Sequence, residues 1–155
     1  MTTSTLLSAR GQFDDASWLA RARTRTVLLA ALGCVSCVLV MIEWFARSDL
    51  FLDIGPSASA MSFLTALAFL LLGAGMLARN AVPRRILLAL SLLVGVTVGL
   101  EYLLDVSFGI DELFVEDWTA TATTAHPGRP AETSTICMTL LASSAVLLEV
   151  GWNRT

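Results

Sequence analysis

The sequence predicts an all-α membrane protein: four transmembrane helices in two hairpin repeats, with a short amphipathic helix in the second outer loop. Three observations carry this. The chain is 55% hydrophobic and only 15% charged, with a mean hydropathy of +0.73. A soluble domain carries about a quarter charged residues, so this chain has too little polar surface to cover itself in water. Apolar runs of membrane length alternate with polar connections. The arginines, which supply all of the positive charge because lysine is absent, cluster on alternate connections.

Residues 1–25 read as a cytoplasmic N-terminal segment. Asp14 and Asp15 are placed to open a short helix that lays Trp18 and Leu19 on the membrane surface. The first span follows at residues 26–45, about 20 residues and so about 30 Å of helix. Its continuation through Val38 to Ile42 predicts a retained span rather than a cleaved leader. Asp49, Asp53, Gly55 and Pro56 break the chain before a second span at 58–78. Arg79 to Arg85 make a basic turn, and a third span occupies 86–104. The outer loop 105–131 is long for a compact protein. A fourth span at 132–150, rich in serine and threonine, precedes a cytoplasmic tail at 153–155.

Arg10, Arg21, Arg23, Arg25, Arg79, Arg84, Arg85 and Arg154 fall on one side of this arrangement, and Arg47 and Arg129 on the other. The bias puts both termini and the middle turn in the cytoplasm of a bacterial inner membrane. Within the outer loop, Ile110, Leu113, Phe114 and Trp118 recur at helical spacing, which predicts an amphipathic helix lying on the membrane surface.

The net charge of −3 argues against nucleic acid, which needs a basic face. Cys34, Cys37 and Cys137 all lie in apolar runs, where free cysteine behaves as a small hydrophobe. No cofactor and no metal centre is expected, because no nucleophile–base pair or metal-ligand spacing occurs. Glu43 and Glu101, near the outer ends of spans one and three, are the carboxylates closest to hydrocarbon. An ionisable group there is either an anchor or a sensing group. Tyr102, Asp111, Glu112 and His126 complete the candidate ligand or sensing residues. Ser91, Gly95 and Gly99 form a small-residue ridge on the third span, suited to close helix packing. Thr65, Thr135 and Thr139 are the matching polar packing positions.

The two halves align. Pairing residues 61–77 with 131–147 sets Thr65 on Thr135 and Leu70-Leu71 on Leu140-Leu141, and Glu43-Trp44 pairs with Glu101-Tyr102 upstream. Parallel repeats of this kind place sites between their halves. The series Leu100-Glu101-Tyr102-Leu103-Leu104, Phe108 to Leu113 and Pro127-Gly128-Arg129-Pro130, with Met61 to Gly73 as a re-entry motif, resembles the multi-span input region of bacterial sensor histidine kinases and diguanylate cyclases. The likeness covers roughly residues 40–150. The second copy departs from the pattern, with Pro130 where methionine is usual and Thr135-Ile136-Cys137 for Thr-Ala-Leu.

The resemblance implies a non-catalytic sensory input module. It would couple an outer or membrane stimulus to a cytoplasmic kinase or cyclase output that these residues do not include. The lipid bilayer, a second copy in a homodimer and a cytoplasmic signalling protein are the expected partners. The alternatives are a small transporter or channel subunit and a structural membrane assembly protein. Transport is disfavoured because Thr65, Ser91 and Thr97 are few polar groups for a path through the middle spans.

Overall fold

The computed structural model describes residues 3–47, 61–110, 113–115 and 128–152, with side chains described from Trp18 onward, Leu19 and Trp152 excepted. Within these residues the chain is all-helical, in the order α1 (Thr3–Ala46), α2 (Phe63–Leu77), α3 (Ala81–Leu104) and α4 (Glu132–Trp152). Three helical segments are long and apolar enough to cross a membrane: Ala20–Ala46, Ala81–Leu104 and Glu132–Gly151.

α1 merges two elements expected to be separate. The surface helix foreseen at Asp14 and the first span form one helix of 44 residues, about 66 Å long at the standard rise. The reason is local. From Asp14 to Ala46 there is no proline, and the arginine–alanine alternation at 20–23 has high helix propensity. Hydroxyls inside the helix bond back to carbonyls one turn earlier, Thr24 to Ala20 and Thr26 to Ala22 at 3.0 Å and Ser36 to Leu32 at 3.1 Å. Such bonds satisfy a polar side chain without water.

α2 is shorter than the span foreseen at 58–78. Its 15 residues cover about 22 Å against a hydrocarbon core of about 30 Å. Ser62 stops the helix on one side, because its hydroxyl accepts from Thr65 N–H at 3.3 Å as an N-cap. On the other side Ala78 N–H closes onto the carbonyls of Ala74 and Gly75 before the Arg79-Asn80 turn. Residues 58–60 lie outside the described residues.

α3 begins five residues before the boundary read from hydropathy. Pro83 sits in its first turn, where a missing N–H costs nothing, and Arg84 N–H reaches the Asn80 carbonyl at 3.3 Å. The basic turn is therefore partly helix. α3 ends at Asp105, which takes a left-handed conformation with φ 51° and ψ 41° and returns its N–H to the Glu101 carbonyl. α4 carries many hydroxyls for a helix apolar enough to cross a membrane. Thr135 bonds back to Ala131 at 3.1 Å, Thr139 to Thr135 at 2.7 Å and Ser144 to Leu141 at 2.8 Å, so these cost little in lipid.

Contacts fix the register of an antiparallel series. A Cβ at Gly73 would sit 2.6 Å from Cys34 Sγ, and one at Gly75 would sit 2.8 Å from Leu88 Cδ2. Ser91 Oγ donates to the Ala68 carbonyl at 2.9 Å, binding α3 to α2. A Cβ at Gly95 would lie 2.7 Å from Thr139 Oγ1 and 3.2 Å from Thr139 Cα, so the α3 backbone there lies directly against Thr139 of α4. α2 touches all three other helices, whereas α1 touches α2 alone. The core follows from that centrality: Leu64, Ala68, Val98 and Met138 form one buried cluster across α2, α3 and α4, and Leu72, Leu88 and Ala142 form another nearer the opposite end. The outward faces of α1 and α4 stay apolar and exposed, with Leu29, Leu32, Leu147 and Leu148 among them.

Of the amphipathic helix expected around 110–118, residues 111–112 and 116–118 lie outside the described residues. Residues 113–115 form a bend, with Leu113 N–H donating to the Ile110 carbonyl at 3.2 Å. Its apolar side chains fold back on the helices. Ile110 packs on the cluster around Leu64, Val115 packs on Trp44 and Phe63, and the Phe114 ring lies 5.9 Å from that of Phe63. The loop that leaves α3 thus reaches across to α1 and α2.

Candidate functional site at the Glu101 end of the bundle

Glu101 occupies the last turn of α3 and is completely buried. Because Asp105 turns the chain left-handed just beyond, the following residues curl back over the helix end. Phe108 N–H then donates to Glu101 Oε1 at 2.7 Å. Gly109 supports this reversal with φ 76°, a conformation that a side chain disfavours. The second carboxylate oxygen faces Arg129 Nε at 3.8 Å, and the side chains are 0% and 1% exposed respectively.

Arg129 arrives from the turn before α4, where Gly128 takes φ 71°. Its guanidinium donates to the Val106 carbonyl at 3.2 Å and stacks over the Tyr102 ring, 5.3 Å from the centroid. Tyr102 Oη in turn donates to the Pro130 carbonyl at 2.6 Å. The end of α3, the loop at 106–108 and the start of α4 are thereby tied by one charge pair and its hydrogen bonds. Burying such a pair is unfavourable unless its members are well bonded, and here the carboxylate and the guanidinium each hold a backbone group as well as each other.

The end of α1 repeats part of this plan. Glu43 is 5% exposed and Trp44 2%. Trp44 Nε1 donates to the Met61 carbonyl at 2.9 Å, just ahead of α2, as Tyr102 does to Pro130 just ahead of α4. Ser62 and Thr65 share a hydrogen bond at 2.9 Å, and both Thr65 and Thr135 are buried. Among the sequence candidates, the structure brings Glu101 and Tyr102 together, and it sets Ser91, Gly95, Gly99, Thr65, Thr135 and Thr139 at helix contacts. Gly99 is the loosest of these, since a Cβ there would meet Thr135 Cγ2 only at 3.9 Å. Asp111, Glu112 and His126 lie outside the described residues.

Two groups were not foreseen as site residues. Arg129 is one. The other is Glu149, at the opposite end of the bundle. Arg84 holds its carboxylate through two nitrogens, Nε to Oε2 at 2.7 Å and Nη2 to Oε1 at 2.9 Å, and Arg85 Nε reaches Oε1 at 3.2 Å. The sequence held a signal for it. Glu149 is the last acidic residue of the chain, and an antiparallel α3–α4 pair brings it level with the arginines that open α3.

Two shallow grooves line the helix contacts. One of about 320 Å³ runs between α1 and α2 past Cys34, Cys37, Phe69 and Gly73. One of about 350 Å³ runs between α3 and α4 past Gly99, Leu103, Ile136 and Leu140. Both are walled almost wholly by apolar atoms, and no group of three or more metal-ligating side chains gathers among the described residues. No protein family, curated protein or solved structure matches the chain.

Proposed function

We propose that this chain is a sensory input module of a bacterial inner membrane. In this reading four helices cross the bilayer as two repeated hairpins, with both termini in the cytoplasm, and it conveys a stimulus to a cytoplasmic signalling output without chemistry of its own. α2 completes the fourth crossing despite its length, since Met61 and Arg79 flank it and the bilayer accommodates short spans by thinning. Parallel use of Trp44 and Tyr102 supports the repeat. The arginine asymmetry supports the orientation.

One observation carries the signalling role. α3 and α4 are tied by ion pairs at both ends, Glu101 with Arg129 outside and Arg84 and Arg85 with Glu149 inside. Between them runs the close Gly95–Thr139 seam. Among the helices, α1 in contrast touches only α2. A tied pair and a helix that meets it only through α2 give two bodies between which a two-state rearrangement can occur. A stimulus that alters the outer pair then shifts the pose of the inner one, and a cytoplasmic partner or second copy reads it.

The test joins the chain to the catalytic part of a histidine kinase or diguanylate cyclase and compares output from the unmodified chain with that of Arg129→Met and Glu149→Gln. Both substitutions are expected to change output severalfold at equal protein level. Unchanged output from two folded variants refutes the role. Alkaline phosphatase fused after Asp117 is expected to be active and after Pro83 inactive, and the reverse pattern refutes the orientation.

A further inference from the structure

The bundle's inner end is unbalanced in charge. Gly73 of α2 packs against Cys34 and Ala30 of α1, so Arg25, Arg23 and Arg21 emerge from α1 at the end where α2 closes and Arg79 follows. α3 opens there with Arg84 and Arg85. Among the described side chains, Glu149 is the carboxylate that Arg84 and Arg85 reach. Arg21, Arg23, Arg25 and Arg79 are exposed. The two ion pairs at Glu149 are also unequal. Arg84 reaches Glu149 through two nitrogens and is 29% exposed, whereas Arg85 makes one contact at 3.2 Å and remains 51% exposed.

We propose that this rim binds the phosphate headgroups of anionic phospholipids, with Arg79 and Arg85 at its centre, and that lipid phosphate competes with Glu149 for Arg85. The inference rests on the membrane-spanning reading. In that reading the rim sits at headgroup depth, where each arginine close to an anionic surface contributes an attraction of about fivefold in affinity. A guanidinium with free donors matches phosphate oxygens in a forked geometry. Arg84 has committed its fork to Glu149 and remains the structural member. Arg85 has donors to spare, so it is the group a headgroup recruits. The lipid composition of the inner leaflet would thereby set how tightly the α3–α4 clamp closes.

Native mass spectrometry of the purified full chain in mild detergent, given equal amounts of phosphatidylglycerol and phosphatidylcholine, tests this. Phosphatidylglycerol is expected to be retained preferentially. Arg79→Gln and Arg85→Gln should each weaken that retention about fivefold, and Glu149→Gln, which releases both clamp arginines, should strengthen it. Equal retention of the two lipids, or retention unchanged in Arg79→Gln, whose exposed site carries no fold, overturns the proposal. Displacement of phosphatidylglycerol by inorganic phosphate at matched concentration also overturns it, since the site would then be one for a free anion. A protein that stays monodisperse without detergent defeats the membrane reading itself. One that needs detergent yet ignores headgroup charge defeats this inference alone.

Discussion

Replacing Arg129 by methionine removes the guanidinium while keeping most of the side chain's length and apolar bulk. Glu101 is then left buried opposite no cation. At 3.8 Å and an effective dielectric of about 20, the lost Coulomb attraction is about 4 kcal/mol. That agrees with the roughly 3–5 kcal/mol typical of breaking one side of a buried pair. Glu101→Gln leaves Arg129 with the Val106 carbonyl and the Tyr102 ring but without its counter-charge, and is expected to cost somewhat less. The double variant Glu101→Gln/Arg129→Met removes both charges, and the introduced amide keeps an oxygen that can accept from Phe108 N–H. It is expected to regain most of the loss, since replacing both members of a buried pair by uncharged groups is often neutral. Equilibrium unfolding of all four forms in mixed micelles, followed by circular dichroism, yields the coupling energy. Strict additivity of the two single losses, or an Arg129→Met form as stable as the parent, would refute the role of the pair as the tie between α3 and α4.

Neighbouring glycines on α3 should respond differently to alanine. Gly95→Ala drives a methyl group into Thr139 and is expected to cost about 1–3 kcal/mol by overpacking, whereas Gly99→Ala, whose Cβ would meet Thr135 Cγ2 at an ordinary contact distance of 3.9 Å, should be neutral or slightly stabilising; the same unfolding measurement separates them. Trp44→Phe keeps an aromatic ring against Phe63 but removes the hydrogen bond to Met61, an expected loss of about 0.5–1.5 kcal/mol. Phe114→Ala should release the loop from the α1–α2 edge, raising hydrogen exchange at the 113–115 amides while leaving α3 and α4 protected.

Much of this architecture is legible in the sequence because long apolar runs alternate with charged and turn-forming connections. The third and fourth helices lie where hydropathy puts them, and the small side chains at Ser91, Gly95 and Gly99 announce a contact face before its partner is known. Helix ends are less legible. Hydropathy measures preference for lipid, not helix formation, so it misses the polar start of α1 and the helical turn that holds Pro83, Arg84 and Arg85. It also overextends α2, whose start is set by one serine cap. Long-range charge pairing is the least legible. Glu101 stands out as a carboxylate in an apolar run, yet its partner lies beyond a loop whose path no periodicity reveals. Glu149, an acidic residue near a helix end, gains its two arginine partners only through the antiparallel register of α3 and α4.

The central claim is that these helices present their exposed apolar faces to lipid, and spin-label accessibility measures that directly. Labels replacing Leu32 and Leu39 on α1 and Leu140 and Leu147 on α4, all well exposed, are introduced singly into protein reconstituted in bilayers. Each is then challenged with oxygen, which concentrates in hydrocarbon, and with a water-soluble nickel chelate. Strong collision with oxygen and weak collision with nickel are expected at all four sites. Strong nickel collision at Leu32 and Leu140, near the middle of their apolar segments, would show water where a membrane span requires lipid, and would contradict the claim.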